Sequence, residues 1–301
     1  MRLIELFEEL EYKHIEDLKH YYALSNYEEC AHNIVSNFIW CNKYPLYVYK
    51  SNKYMLLMNH SQDESMFFMP LCKKEDFKDA LIDIKSLVEK CEYENITFNN
   101  YLKEYIDTHK DVFKDYASYE VINSRDYVYE SEKLISFSGK KLQKKRNHLN
   151  AFYLEYDNRF TYEKINVDNC KEVLEYLDEW YSSKDDESLI YERNGIMNIL
   201  PVYDKLELIG GLIRIDGKVK AFSIASKLSD EMVEVHIEKA DESIRGLYQA
   251  ICKEFTLNEL SNFHYVNRED DMGNENLRHA KLAMQPCKFI NKFYLYKDTH
   301  D

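Results

Sequence analysis

The sequence predicts an α+β protein in which one unit, a mixed and mostly antiparallel sheet flanked by helices, occurs twice. Three observations carry this expectation. Residues 206–240 read as a three-strand meander that runs into a helix. Residues 45–91 show the same order more faintly. The 301 residues include only seven Gly and four Pro, which leaves little for long flexible linkers. A chain of this length suits two ordinary domains, and its 45% apolar content is normal for packed cores.

In chain order, residues 1–40 are expected to be largely helical. "PLYVYK" (45–50), "KYMLLMN" (53–59) and "SMFFMPL" (65–71) follow as three antiparallel strands. "KEDFKDALIDIKSLVEKC" (74–91) is an amphipathic helix, with Phe77, Leu81, Ile84, Leu87 and Val88 on one face. "NITFNN" (95–100) is a strand, "YLKEYIDTH" (101–109) a short helix and "YEVINSRDYVYE" (119–130) one strand. In the second half "LELIGGLIRI" (206–215) is rich in β-formers. Asp216-Gly217 then gives a strong hairpin signal, and "KVKAFSIASKL" and "MVEVHIEKA" both alternate. "SIRGLYQAICKEFTLNEL" (243–260) places Leu247, Ile251 and Phe255 at helical spacing. A short strand (264–269), a helix (274–284) stopped by Pro286 and a last strand (287–297) complete the unit. No repeat is visible at the level of residues. The expected domains are 1–135 and 136–301, with a basic helix, 139–156, at their junction.

That basic helix stands out because the formal net charge is -14. "GKKLQKKRNHLNAF" contains no acid. Read as a helix capped by Ser138, it aligns Leu142, Leu149, Phe152 and Tyr156 in one apolar stripe. Lys140, Lys141, Lys144 and His148 fall on other faces, Lys145 falls inside the apolar arc, and Arg146 lies at its edge. A charge aimed at a core must find a partner or line a cleft. The run is either a solvated basic face or an anion site, for a phosphorylated small molecule or a tRNA. The acidic whole argues against a general nucleic-acid binder, so DNA is not expected.

The seven cysteines form no C-x-x-C pair, and no His lies at metal-ligand spacing from them, so no metal site is expected. With no signal-like start and no apolar run long enough for a bilayer, the chain reads as cytoplasmic, without integral membrane contact. There is no G-x-G-x-x-G, Walker loop, G-x-S-x-G or H-E-x-x-H, which leaves nucleotide hydrolysis, α/β-hydrolase chemistry and zinc proteolysis without support.

The element order resembles the N-acetyltransferase-like (GNAT) fold. "GKKLQKKRNHLNAF", "YDKLELIGGLIRIDGKVKAF", "VHIEKADESIRGLYQAICKEF" and "VNREDDMGNENLRHAKLAMQP" resemble the bacterial DUF2156 family, classed with the C-terminal catalytic domain of phosphatidylglycerol lysyltransferases. The resemblance covers most of the chain, including "SNFIW" (36–40) and "RDYVYE" (125–130). It implies tandem GNAT-like (acyl-CoA N-acyltransferase-like) domains. It also implies an acyl-group transferase whose donor is an aminoacyl-tRNA and whose acceptor is an amine or hydroxyl. A binding module that kept the fold without the chemistry is the alternative, and a conventional acyl-CoA-dependent enzyme is another.

Two departures qualify the resemblance. A conventional acetyl-CoA loop needs small residues so that backbone N–H groups meet the pyrophosphate, but Ser243 and Tyr248 stand around Gly246. Acyl-CoA is therefore the less expected donor. Lysyltransferases that act on lipid carry a large membrane half, which is not seen here, so phosphatidylglycerol is not expected as acceptor.

Candidate site residues lie where such a fold splays two strands. Glu238 either orients or deprotonates an acceptor amine or makes a strand-end ion pair with Lys239 or Arg245; its alternation partners are Glu234 and His236. His236 is either a base or a buried, hydrogen-bonded core residue. Arg245 and Gly246 open a helix beside the slot, where the Arg meets either an anion or Asp241 or Glu242. Asn267 and Arg268 begin the polar cluster "NREDD". Tyr203 and Asp204 precede the meander on the expected acceptor side. With Lys144, Lys145 and Arg146 from the basic run, these form the expected site. An open slot on which Glu238, Arg245 and Asn267 converge supports catalysis; a slot filled by core side chains favours the binding module.

Overall fold

A computed structural model of the chain describes residues 2–61, 64–91, 96–184 and 189–297. It divides into two units, residues 1–125 with 290–301, and residues 126–289. Each unit is a mixed sheet flanked by helices, and together they make the tandem GNAT-like fold expected from the sequence.

The first unit opens with β1 (Glu8–Glu9), α1 (Ile15–Ser25) and α2 (Ile34–Trp40), the last capped by the Asn33 side chain accepting from Val35 N–H at 2.8 Å. The meander is β2 (Leu46–Lys50), β3 (Tyr54–His60) and β4 (Ser65–Phe67), with β5 (Leu71–Cys72) also on β3. Helix α3 (Phe77–Lys90) buries Phe77, Ala80, Leu81, Ile84 and Val88, the 3–4 spacing of one helical face, and leaves its charges in water. Strand β6 (Ile96–Tyr101) returns parallel to β4, and α4 (Lys103–Thr108) and β7 (Tyr116–Glu120) follow.

The second unit begins with β8 (Asp126–Glu130), α5 (Ser131–Ser136) and α6 (Gln143–Tyr156). Next come β9 (Phe160–Lys164), α7 (Cys170–Ser182) and α8 (Leu189–Ile199). The meander is β10 (Ile209–Ile215), β11 (Lys218–Lys227) and β12 (Met232–Ala240). Asp216 and Gly217 both sit at positive φ, as the two-residue hairpin turn requires. Helix α9 (Leu247–Glu259) leads to β13 (Tyr265–Asn267), parallel to β12, then to α10 (Glu275–Ala283) and β14 (Lys288–Ile290), after which the chain runs into β15 (Phe293–Lys297) of the first sheet. Below the sheet, Leu142, Leu149 and Phe152 of the basic segment pack with Leu247, Ile251 and Phe255 of α9 and with Ile213, Val233, Val235 and Val266. Each such side chain contributes about 1.5–3 kcal/mol of hydrophobic stabilisation.

Three expectations need correction. The run 119–130 is two strands, β7 and β8, split by a 3-10 turn at Ile122–Ser124, and 287–297 is likewise β14 and β15. The pieces belong to different sheets: β15 pairs with β6 and β7 of the first, whereas β8 pairs with β13 of the second. The division therefore falls at 125/126 rather than 135/136, and the C-terminal strand returns to the first sheet. Ser138 does not cap the basic helix. An unexpected helix, α5, ends at Phe137 with φ 47°, Gly139 takes φ 98°, and a 3-10 turn, Lys140–Leu142, leads into α6. The segment 157–205, which carried no assignment, supplies β9, α7 and α8.

Candidate active site at the splay of two strands

Strands β12 and β13 pair only over Met232–Glu234 and Tyr265–Asn267. Beyond that point β12 continues to Ala240, while the chain after β13 turns away through Glu269, whose φ is 57°. Three side chains from separate elements meet where the ladder stops. Arg268, first residue after β13, donates from Nη2 to Glu238 Oε1 of β12 at 2.7 Å, and its Nη1 lies 3.4 Å from Cys252 Sγ of α9. Lys145 of α6 lies within Coulombic reach of Glu238, Arg268 and Cys252.

The electrostatics of this cluster are uneven. It holds two cations and one carboxylate, and the pair is largely out of water, with the Glu238 and Arg268 side chains 10% and 18% exposed. Burial opposes the charge on Arg268, but Glu238 more than compensates and holds its pKa above the usual guanidinium value. For Lys145 the balance falls the other way: burial and then the neighbouring Arg268 push its pKa below the ordinary lysine value, and Cys252 and Glu238 offset this only in part. Burial also lifts the Cys252 thiol to about 12, so it is a neutral neighbour and not a nucleophile.

The strand alternation that grouped Glu238 with Glu234 and His236 is broken by a β-bulge. Ile224 lies opposite Ile237 but Ala225 lies opposite Val235, so His236 is an extra residue in β12. After it the faces exchange. Glu238 points to the α9 side, with Cys252 and Arg268. Glu234 and His236 point to the other, where His236 Nδ1 is 3.2 Å from both Glu234 Oε1 and Glu269 Oε1, and Nε2 is 2.8 Å from Ser226 Oγ. His236 is thus the buried, hydrogen-bonded residue, and it does not reach the Glu238 cluster. Burial alone would lower its pKa, but Glu234 and Glu269 raise it to about 9. Burial raises Glu269 to about 7, against the hydrogen bond from His236.

The other expected residues are placed as follows. Asn267 is buried beside Glu234, donating to Asp126 Oδ2 at 2.9 Å and accepting from Glu269 N–H at 2.8 Å; it shapes the loop and does not join the cluster. Arg245 is exposed, and the acids expected to pair with it go elsewhere, Asp241 to Lys220 and Glu242 to Lys184. The trio Glu238, Arg245 and Asn267 therefore does not converge; Arg268 meets Glu238 instead, with Lys145 within Coulombic reach. Gly246 caps α9 at φ 86°, and a Cβ there would lie 2.1 Å from the His148 carbonyl oxygen of α6. The glycine thus serves a close approach of two helices.

Arg146 donates from Nη1 to the carbonyls of Phe137 and Gly139, tying down the end of α5, while Lys144 is exposed. Tyr203 is buried with its hydroxyl on the Ile165 carbonyl at 3.3 Å, and Asp204 is exposed; neither meets the cluster. Lys239 pairs with Glu192 at 2.5 Å rather than with Glu238.

Cys252 was not singled out in the sequence, where a lone Cys in an amphipathic helix reads as core. The Lys281 ammonium of α10 holds the site loop through the carbonyls of Arg268, at 2.5 Å, and Asp270. Asp271 anchors the same loop: burial opposes its charge, but Arg278 at 2.8 and 2.9 Å and the Tyr127 hydroxyl at 2.5 Å bring its pKa down to about 2.

The family model for the C-terminal region of phosphatidylglycerol lysyltransferase matches residues 23–296. A conserved protein of unknown function from Bacteroides thetaiotaomicron has a similar structure, with a TM-score of 0.88 and 26% identity over 97% of this chain and 99% of that one. L-PGS from Bacillus licheniformis shares the fold at a TM-score of 0.69 and 13% identity, covering 98% of this chain and 94% of that one. An uncharacterised protein of Mycoplasmoides gallisepticum is 28% identical over 243 residues, 78% of this chain and 75% of its own length. The fold is that of acyl- and aminoacyl-transferases. Among the described residues no helix is long and apolar enough to cross a membrane.

Proposed function

Because the chain belongs to the phosphatidylglycerol lysyltransferase C-terminal family, we propose that it transfers an aminoacyl group from a charged tRNA to an amine or hydroxyl acceptor at the Glu238–Arg268–Lys145 cluster. The observation that carries this reading is the unbalanced charge. A second cation, Lys145, is half-buried within Coulombic reach of Arg268, and Glu238 is the carboxylate paired with Arg268. Such an arrangement is costly for the folded state and useful to a reaction that develops negative charge.

Each residue then has a role. Arg268, fixed by Glu238, faces the carbonyl oxygen of the aminoacyl ester as it becomes an oxyanion. Glu238 also attracts the ammonium of the aminoacyl group. Lys145, pressed toward its neutral form, takes the proton from the attacking amine or hydroxyl. The new bond forms between acceptor and carbonyl carbon, the ester C–O bond breaks, and the proton passes to the departing tRNA hydroxyl. The exposed Lys140, Lys141 and Lys144 attract the phosphates of the acceptor end and do not touch the reacting atoms.

Acyl-CoA is the weaker candidate. The backbone of α6 packs against Gly246 at the start of α9, where a pyrophosphate would need open N–H groups. The test is calorimetric titration with a short acceptor-stem RNA carrying a stable amide-linked 3′ aminoacyl group. Binding should weaken with salt, weaken moderately when Lys140 and Lys141 are changed to Glu, and fall at least tenfold in Lys145→Glu. Salt-independent or undetectable binding by the wild type would reject the proposal.

A further inference from the structure

The cluster on the other face of β12 carries a different inference. We propose that Glu234, His236 and Glu269 bind a divalent first-row transition ion, which clamps the bulge of β12 to the loop that follows β13.

The geometry supports an ion at this point. His236 Nδ1 lies 3.2 Å from a carboxylate oxygen on each side, and the three donor atoms lie within 4.8 Å of one another. Ligands bound to zinc at about 2.1 Å in a tetrahedron stand roughly 3.4 Å apart, so both short separations are close to a tetrahedral edge. A proton on Nδ1 must be shared between two carboxylates, whereas a dication between the three groups satisfies all of them.

Charge balance points the same way. When both carboxylates are ionised, they and an imidazolium leave one net negative charge in a buried place, with the Lys281 ammonium close to Glu269 but committed to two backbone carbonyls. Two carboxylates, a neutral imidazole and a dication sum to zero.

The surroundings fit a ligand set. His236 Nε2 is 2.8 Å from Ser226 Oγ, which fixes the ring and leaves Nδ1 for the ion when Nε2 carries the proton. Asn267 holds the Glu269 backbone, and the Glu269 side chain is 21% exposed, so the site has an entrance. One nitrogen and two carboxylates suit zinc, cobalt, manganese or iron better than magnesium or calcium alone. Such an ion would hold the turn on which Arg268 begins, on the face away from the reacting groups.

Cobalt(II) is the probe, added to chelator-treated full-length protein. We expect one equivalent to bind with a visible d–d spectrum, no thiolate charge-transfer band, and an unfolding temperature raised by several degrees. Glu234→Gln and His236→Gln should each weaken binding at least tenfold, whereas Cys287→Ser should not change it. Binding weaker than millimolar, a thiolate band, or unchanged affinity in both folded site variants would overturn the proposal. If the site variants do not fold, the wild-type spectrum and the reversal of the thermal shift by chelator decide the matter alone.

Discussion

Replacing Glu238 by Gln should be the most damaging isosteric change in the second unit, and the structure explains its size. The pair it breaks is held at 2.7 Å with both side chains mostly out of water. Removing one partner of such a pair costs about 3–5 kcal/mol, because the other charge stays buried without compensation. Here the loss leaves two cations, Arg268 and Lys145, within Coulombic reach of each other without the carboxylate. At roughly 2–4 °C per kcal/mol for a unit of this size, the unfolding transition should fall by roughly 6–20 °C.

Arg268→Met should cost less, since Lys145 remains to balance Glu238. The double variant Glu238→Gln with Lys145→Met should recover about 1 kcal/mol or more, because the repulsion is gone. Scanning calorimetry at neutral pH and low salt measures all three. An Arg268→Met variant less stable than Glu238→Gln, or a double variant no better than the single, would refute the charge assignment.

Three further outcomes are expected. Gly246→Ala should lower stability by about 3 kcal/mol or more or prevent soluble expression, since a Cβ meets the His148 carbonyl at 2.1 Å and the left-handed conformation costs about 1–2 kcal/mol by itself; an unfolding midpoint within a degree of wild type contradicts this. In chelator, stability should fall as pH rises toward 9. His236 has a folded pKa of about 9, above its free value, so its contribution is complete below about pH 6.5 and lost by about pH 9; Glu269, raised to about 7, loses its own contribution earlier, between about pH 4.5 and 7. The loss should be on the order of 3 kcal/mol by urea titration, and a midpoint that rises with pH over this range contradicts the assignment. Acetyl-CoA should bind more weakly than roughly 10 μM, about 7 kcal/mol, by calorimetry; tighter binding restores the acyl-CoA reading.

The parts of the fold legible in the sequence are those set by local periodicity. The two meanders, the Asp216-Gly217 turn and the apolar face of α9 are local patterns, and so is the helical spacing that turns Lys145 inward. The exchange of strands between sheets was not legible. Residues 119–130 and 287–297 are nearly continuous in β-formers, and nothing in an alternation says which sheet a strand joins. The bulge at His236 was hidden for a similar reason: it keeps the composition of the strand and changes only which face each later residue occupies. Glu238 was therefore grouped with the wrong partners. Glu269 and Cys252 join their clusters from 33 and 14 residues along the chain from His236 and Glu238, through tertiary contacts without a sequence signature. Arg146 was placed at the edge of the apolar arc, but the helix whose end it ties down, α5, was not anticipated.

The most direct measurement is single-turnover transfer from a pool of radiolabelled aminoacyl-tRNAs, with amine and hydroxyl acceptors supplied as a mixture and products resolved from hydrolysed amino acid. The account predicts a labelled, base-stable or ester-linked acceptor product that forms with the wild type, and a rate at least a hundredfold lower in Lys145→Met, even though that variant is at least as stable as the wild type. Transfer that proceeds equally well in folded Lys145→Met, or a wild type that forms no product from any charged tRNA in the pool, would contradict it.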